Sequence, residues 1–310
     1  MSAPSRPNPA GYVRKVRWLS GRAATALFAI NAVACASPAS QFPNAASAIE
    51  RMRRAQSCSR GVRADAKLDY FEKGHRVRGS VLYKAVVPEK LRFDVYSPFG
   101  VMLSTLSSDG RDFALYDLRQ KQFLRGPANA CNVARFTRVP LPPFALVQLL
   151  RGEAPVLVHE PRAASIEWSS WSKEYRIRIP SKHQAVEEIT LEIADQDWDK
   201  PWKEQRLRVT GVRVEQRGVE LYAAELKDHK AAHTAPPRVD EDGLEPPVPP
   251  SGPACSAELP RGIRINVPES SQDLVIRNEE IVHNPPVSSG DFVQSPPGGV
   301  AVRYARCSDR

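Results

Sequence analysis

Between Gly61 and Leu124 the sequence offers six stretches of strand-like residues, and the gaps between them are too short for anything but a turn. The stretches are Gly61–Phe71, Arg76–Val87, Lys90–Ser97, Val101–Ser107, Asp112–Tyr116 and Lys121–Leu124, punctuated by Glu72-Lys73-Gly74, Pro88, Pro98 and Asp109-Gly110. A parallel neighbour needs a crossover of a dozen or more residues, so these strands must run antiparallel as a meander. Leu91, Phe93 and Val95 fall on one face at period two, which predicts a sheet with one buried side. The pattern resumes at Ala164–Trp171, Glu174–Ile179, Val186–Ile193, Arg206–Gln216 and Val219–Leu226, then at Leu259–Val267, Asp273–His283 and Asp291–Val302. The expected class is mainly β with a few helices, in a single domain over residues 45–307.

Two stretches read as helices. Ala45 to Cys58 places Ile49, Met52 and Ala55 near helical spacing with charge opposite, so one face must pack on something. Pro140-Leu141-Pro142-Pro143 introduces Phe144 to Arg151, and Gly152 closes it; prolines at the start and glycine past the end punctuate a helix. That helix is apolar nearly all round, which predicts that it lies over or inside a greasy concavity. Residues 228–253 carry seven prolines and almost no large apolar side chains, the composition of a flexible insertion.

The turn at Ser97-Pro98-Phe99-Gly100 breaks the usual rule for hairpin tips. Pro98 and Gly100 are turn residues, yet they bracket a phenylalanine where a tip normally meets water. Phe99 either folds back onto its own hairpin or touches a membrane or lipid.

The N-terminus reads as an address. Residues 1 to 22 are polar and basic, and Ala23 to Ala34 is an apolar run too short to span a bilayer but suited to a secretory signal. The run ends in Ala32-Val33-Ala34-Cys35, which resembles the bacterial lipobox, in which the cysteine becomes the lipidated first residue. Segment 1–34 is then a signal peptide and 35–44 a tether. Ala36, not aspartate, follows the cysteine, which in lipoprotein sorting implies the outer membrane, with the protein on its periplasmic face. The formal charge of +9 owes five cations to the first 34 residues; without them the net is +4, too small and too dispersed for a nucleic-acid partner.

Cys58, Cys131, Cys255 and Cys307 remain, an even number in an oxidising setting, and read as two disulfides. Four cysteines permit three connectivities. Pairing Cys58 with Cys131 and Cys255 with Cys307 is favoured because each pair closes within one half of the chain.

No nucleophile, phosphate or dinucleotide motif is present, so the expectation is a protein that is not an enzyme and uses no cofactor or metal. Asp195, Asp197 and Asp199 have the opening spacing of a calcium loop, but Lys200 and Arg206 stand where glycine and glutamate are needed, and a turn is expected. His229 and His233 read as exposed loop histidines. Glu187-Glu188 and Glu279-Glu280 point to opposite faces of their strands and read as solvated.

Arg92 to Gly100 (RFDVYSPFG), Asp109-Gly110 and Leu141 to Gly152 (LPPFALVQLLRG), with the lipobox and the N-terminal helix, resemble the LolA/LolB superfamily of periplasmic lipoprotein carriers and outer-membrane receptors. The resemblance covers roughly residues 45 to 155. It implies a single curved antiparallel sheet forming an unclosed half-barrel, with helices as a lid over a hydrophobic cavity for acyl chains. Leu91, Phe93, Val95, Leu103, Phe113 and Leu115 would line that cavity with Phe144, Leu146 and Leu149 of the lid, although an ordinary filled core would use the same residues. Phe99 matches the apolar tip that helps receptor-type members deliver cargo to the membrane. The implied partners are acylated lipoproteins or lipids, the inner leaflet of the outer membrane, and a soluble periplasmic carrier as the feeder. The insertion and the disulfides depart from the receptor pattern and fit a divergent branch. The alternative is a structural lipoprotein of an envelope assembly with a filled core.

Overall fold

The first six strands form the expected meander: β1 (Gly61–Glu72), β2 (His75–Val86), β3 (Lys90–Tyr96), β4 (Met102–Ser108), β5 (Asp112–Asp117) and β6 (Gln122–Pro127), each antiparallel to the one before. The computed structural model describes residues 37–72, 75–137, 139–244 and 246–307. A second meander follows, made of β7 (Ser165–Ser169), β8 (Glu174–Pro180), β9 (Ala185–Ile193), β10 (Leu207–Gln216), β11 (Val219–Thr234), β12 (Ala257–Val267) and β13 (Gln272–His283). The two join through β1 and β13, so a single 14-stranded sheet runs β14-β6-β5-β4-β3-β2-β1-β13-β12-β11-β10-β9-β8-β7. Its edge strands, β7 and the short β14 (Ala301–Tyr304), do not pair with each other. The sheet is an open half-barrel, antiparallel apart from β14 on β6 and a short pairing of β11 with β13.

This order dictates what covers the sheet. The chain starts at the centre, works out to one edge, and must cross the full width before β7 can begin at the other edge. The crossing carries α2 (Ala130–Thr137), α3 (Pro143–Leu150) and the irregular segment 151–164, and with α1 (Ala45–Ala55) it lies on the inner face. Asn44 caps α1 by accepting the Ser47 N–H at 2.8 Å, and Ala45, Ala48, Ile49 and Met52 are its buried stripe. Arg151, buried beyond the end of α3, donates to the carbonyls of Ser59 and Gln56 and pairs with Glu153, tying α3 to the end of α1. Gly152 is obligatory here: its φ is +77°, and an added Cβ would come within 2.9 Å of Pro260.

Register keeps the two faces apart. Leu91 pairs with Ala85 and Ala85 with Val62, Phe93 with Tyr83 and Tyr83 with Ala64, one apolar row behind another. The outer face is charged. Asp69 accepts from Arg76, Arg78 and Arg277, whose hydrogen bonds and charge hold its carboxyl well below the usual range. After β13 a C-terminal strap crosses this face: Asp291 receives Lys84 Nζ, and the Gln294 amide donates to Ser107 Oγ at 2.9 Å before the strap ends as β14 on β6.

The disulfides correct the expected pairing. Cys58 joins Cys255, and Cys131 joins Cys307. Proximity along the chain is the wrong guide because β1 and β12 both flank β13 and start at the same end of the sheet, which brings Cys58 and Cys255 together. Cys131 opens α2 just past β6, the strand on which β14 delivers Cys307.

Residues 228–234 also differ from expectation. They continue β11, paired with β12, so the proline-rich excursion begins only at residue 235, and within it Arg238 and Val248 exchange both backbone hydrogen bonds. His229 is half-buried, and desolvation with Arg208 nearby pushes its imidazole down to about 4. Four residues along a strand span about 13 Å, so His229 and His233 cannot share a metal. Asp197 is a buried ion-pair centre in the β9–β10 turn, accepting from Lys200 at 2.6 Å and Arg206 at 2.7 Å.

Candidate functional site at the hairpin tip and inner face

The β3–β4 turn is closed by Gly100 N–H to the Ser97 carbonyl at 3.0 Å and Ser97 N–H to the Val101 carbonyl at 2.8 Å, with Gly100 in the left-handed region. Ser97 Oγ accepts the N–H groups of both Phe99 and Val101. Phe99 does not fold back: it is 92% exposed, with Val101 beside it at 62%. The tip thus presents two apolar side chains on a turn whose N–H groups at 99, 100 and 101 are already satisfied. Such a turn can enter an apolar medium without stranding those donors.

Seven of the nine residues expected to line a cavity belong to one continuous core. Leu91, Phe93, Phe113, Leu115, Leu146 and Leu149 are buried in it and Val95 packs against it. Leu103 is half-buried beside the bulge that opens β4 and lies outside that core, and Phe144 is 39% exposed on the far side of α3. The inner face is filled by Ile49 and Met52 of α1, Val133 of α2, Val147 and Leu150 of α3, and Val139 and Leu141 between α2 and α3. A cleft of about 360 Å³ lies instead under the C-terminal strap, over Phe113, Phe123 and Phe292 with Arg125 on its wall.

A buried carboxyl interrupts the inner face. Glu187 sits in the row of Ile189, Leu191 and Ile193, fully buried, between Ile179 on β8 and Val214 on β10. One carboxylate oxygen accepts the Leu157 N–H at 2.7 Å, fastening the crossing segment to the sheet, and the other has no hydrogen-bond partner. Burial pushes its carboxyl up to about 7, against the smaller opposing effects of the Leu157 N–H and Arg53. This corrects the expectation that Glu187 is solvated: only Glu188 is on the outer row with Val186, Thr190 and Glu192, and alternation leaves Glu187 to the apolar row.

Cys35 lies outside the described residues. Among the described residues no helix is long and apolar enough to cross a membrane, and no group of three His, Cys, Asp or Glu could hold a metal ion.

No protein-family model matches the sequence, and no curated protein matches it. Solved structures overlap it at the level of the backbone. A DUF1329 family protein from Desulfovibrio piger is 11% identical with a TM-score of 0.49, covering 80% of this chain and 96% of its own. A LolA superfamily protein from Nitrosomonas europaea is 9% identical with a TM-score of 0.48, covering 82% and 99%. A Vibrio parahaemolyticus domain named for outer membrane lipoprotein sorting is 10% identical with a TM-score of 0.46, covering 79% and 95%.

Proposed function

We propose that this chain is an envelope lipoprotein, anchored through Cys35 to the periplasmic face of the outer membrane, that engages acyl chains of lipoproteins or lipids and delivers them to the membrane through Phe99. The observation that carries this reading is the tip: a phenylalanine held 92% exposed on a turn that satisfies its own N–H groups. An acyl chain in water costs about 0.8 kcal/mol per CH₂, so an apolar contact at the point of transfer lowers the barrier to handing it over. Phe99→Glu is expected to slow transfer of a fluorescent acylated peptide to liposomes by about 10- to 100-fold, the equivalent of losing ~1.5–3 kcal/mol of phenylalanine burial. The unfolding temperature should stay within about 2 °C of wild type, as for an exposed substitution. Undiminished transfer, or a variant that fails to fold, overturns the role of Phe99.

The filled inner face favours a second reading, in which the protein is a scaffold of an envelope assembly and holds no cargo in its core. Native mass spectrometry of the form beginning at Cys35 separates the two. Co-purifying acyl species displaced by a fluorescent fatty acid support uptake, which then requires the crossing segment to move off the sheet. An apo mass with no probe binding supports the scaffold.

A further inference from the structure

The tether is shorter than the sequence implies. Ala39 N–H donates to the Trp198 carbonyl at 3.3 Å, Gln205 Nε2 donates to the Ser40 carbonyl at 3.0 Å, and Phe42 is buried edge-on against Tyr175 and beside Trp202. Only four peptide units separate Ala39 from Cys35, a reach of about 14 Å at full extension. Whatever holds Cys35 therefore also holds the corner where the chain docks.

That corner collects every tryptophan that follows residue 34. Trp168 packs on Tyr175 and Trp198, and Trp202 on Phe42. Trp171 packs on nothing: it stands 97% exposed at the tip of the β7–β8 hairpin. Two residues on, the Lys173 ammonium lies 5.9 Å from the Trp198 ring, so the tip abuts the same Trp198 that receives the tether. A cleft lined by Ser172, Lys173 and Trp198 joins them.

We infer that this corner rests in the headgroup layer of the bilayer that carries the anchor, with Trp171 inserted at the interface; the inference rests on the reading of Cys35 as the lipidated residue, and because the antiparallel order puts the Phe99 turn at the opposite end of the strands, it describes the anchored resting pose and not the act of delivery. Tryptophan suits that layer because its ring is apolar and its N–H is polar. Lys173, Lys200 and Lys203 are offset by Glu174, Asp195, Asp199 and Glu204 in the same two turns. Ring insertion, and not attraction to anionic lipid, is what the corner offers.

The test uses the protein acylated at Cys35 and reconstituted into phosphatidylcholine vesicles with or without brominated acyl chains, reading tryptophan emission. Wild type should lose a part of its emission in the brominated vesicles that Trp171→Gln does not lose, and high salt should leave that difference in place. Equal quenching of both proteins, or of neither, with the acylated mass confirmed, overturns the inference and leaves the anchor standing. A mass showing Cys35 unmodified overturns the anchor and the inference together.

Discussion

Replacing Cys58 and Cys255 by serine is expected to lower the unfolding free energy by about 4–5 kcal/mol, the largest effect predicted for a pair of small side chains in this protein. The bridge spans a sequence separation of 197, and closing so long a loop in the unfolded chain removes most of the entropy a single crosslink can remove. The second bridge shortens the loop left to close, but the logarithmic dependence takes away only about a few tenths of a kcal/mol. Native geometry supports the same junction without the crosslink. Asn284, fully buried at the end of β13, donates to the carbonyls of Cys58 and Pro253 at 2.8 Å and accepts the Arg60 N–H at 2.7 Å. The double variant should therefore fold to the same structure but unfold at a lower urea midpoint, and a reductant should destabilise it less than it does wild type. A midpoint equal to that of wild type would mean the unfolded chain gains no freedom from losing the bridge.

The second large effect is a pH dependence carried by Glu187. Its carboxyl is raised from 4.5 to about 7 in the folded protein, so the folded state holds the proton more tightly than the unfolded chain does. Stability from this group is complete below pH 4.5 and falls as the pH rises through about 7, by roughly 3 kcal/mol in all for a shift of this size. Glu187→Gln keeps an acceptor for the Leu157 N–H and cannot ionise. It should be more stable than wild type by about 2 kcal/mol at pH 8 and no more stable near pH 4.5, allowing about 1 kcal/mol for the new amide donors. Urea midpoints of both proteins across this range decide it; identical slopes would show that Glu187 is not desolvated.

Local features were legible in the sequence because period-two alternation and turn chemistry are local. The meander, the start of α3 at Pro143 and the Gly152 turn just past its end, and the Pro98-Phe99-Gly100 turn all follow from residues within a few positions of each other. The β1–β13 junction does not, since nothing in Val62 or Ala64 specifies a partner more than 200 residues away. Part of what was misplaced descends from that junction, and part from other long-range pairings, of β14 with β6 and of the far end of β11 with β12. The cysteines were paired within halves, but β1 meets β13 across them and β14 returns to β6, so both bridges run from one half to the other. Glu187 was misread as solvated because an adjacent Glu pair looks like a charged face until its row is known, and the turn at Phe99 was legible while the direction of its ring was not. The exposure of Trp171 was not legible, because the expected strand Ala164–Trp171 included it, whereas β7 ends at Ser169 and leaves it in the turn.

Synthesis gives the β1–β13 junction a history. The chain is made from its N-terminus, and β1 through β6 can pair as soon as residue 127 is available, while β13 arrives only with residues 272–283. During that interval β1 is a twelve-residue edge strand with its ladder open to any other extended chain. Its outward row meanwhile reads Arg63, Asp65, Lys67, Asp69, alternating in sign at every second position. β13 brings Arg277 to Asp69, and Glu279 to Lys67 at 3.3 Å. The charges that now lie along the outer face blunt that open edge before the sheet is whole.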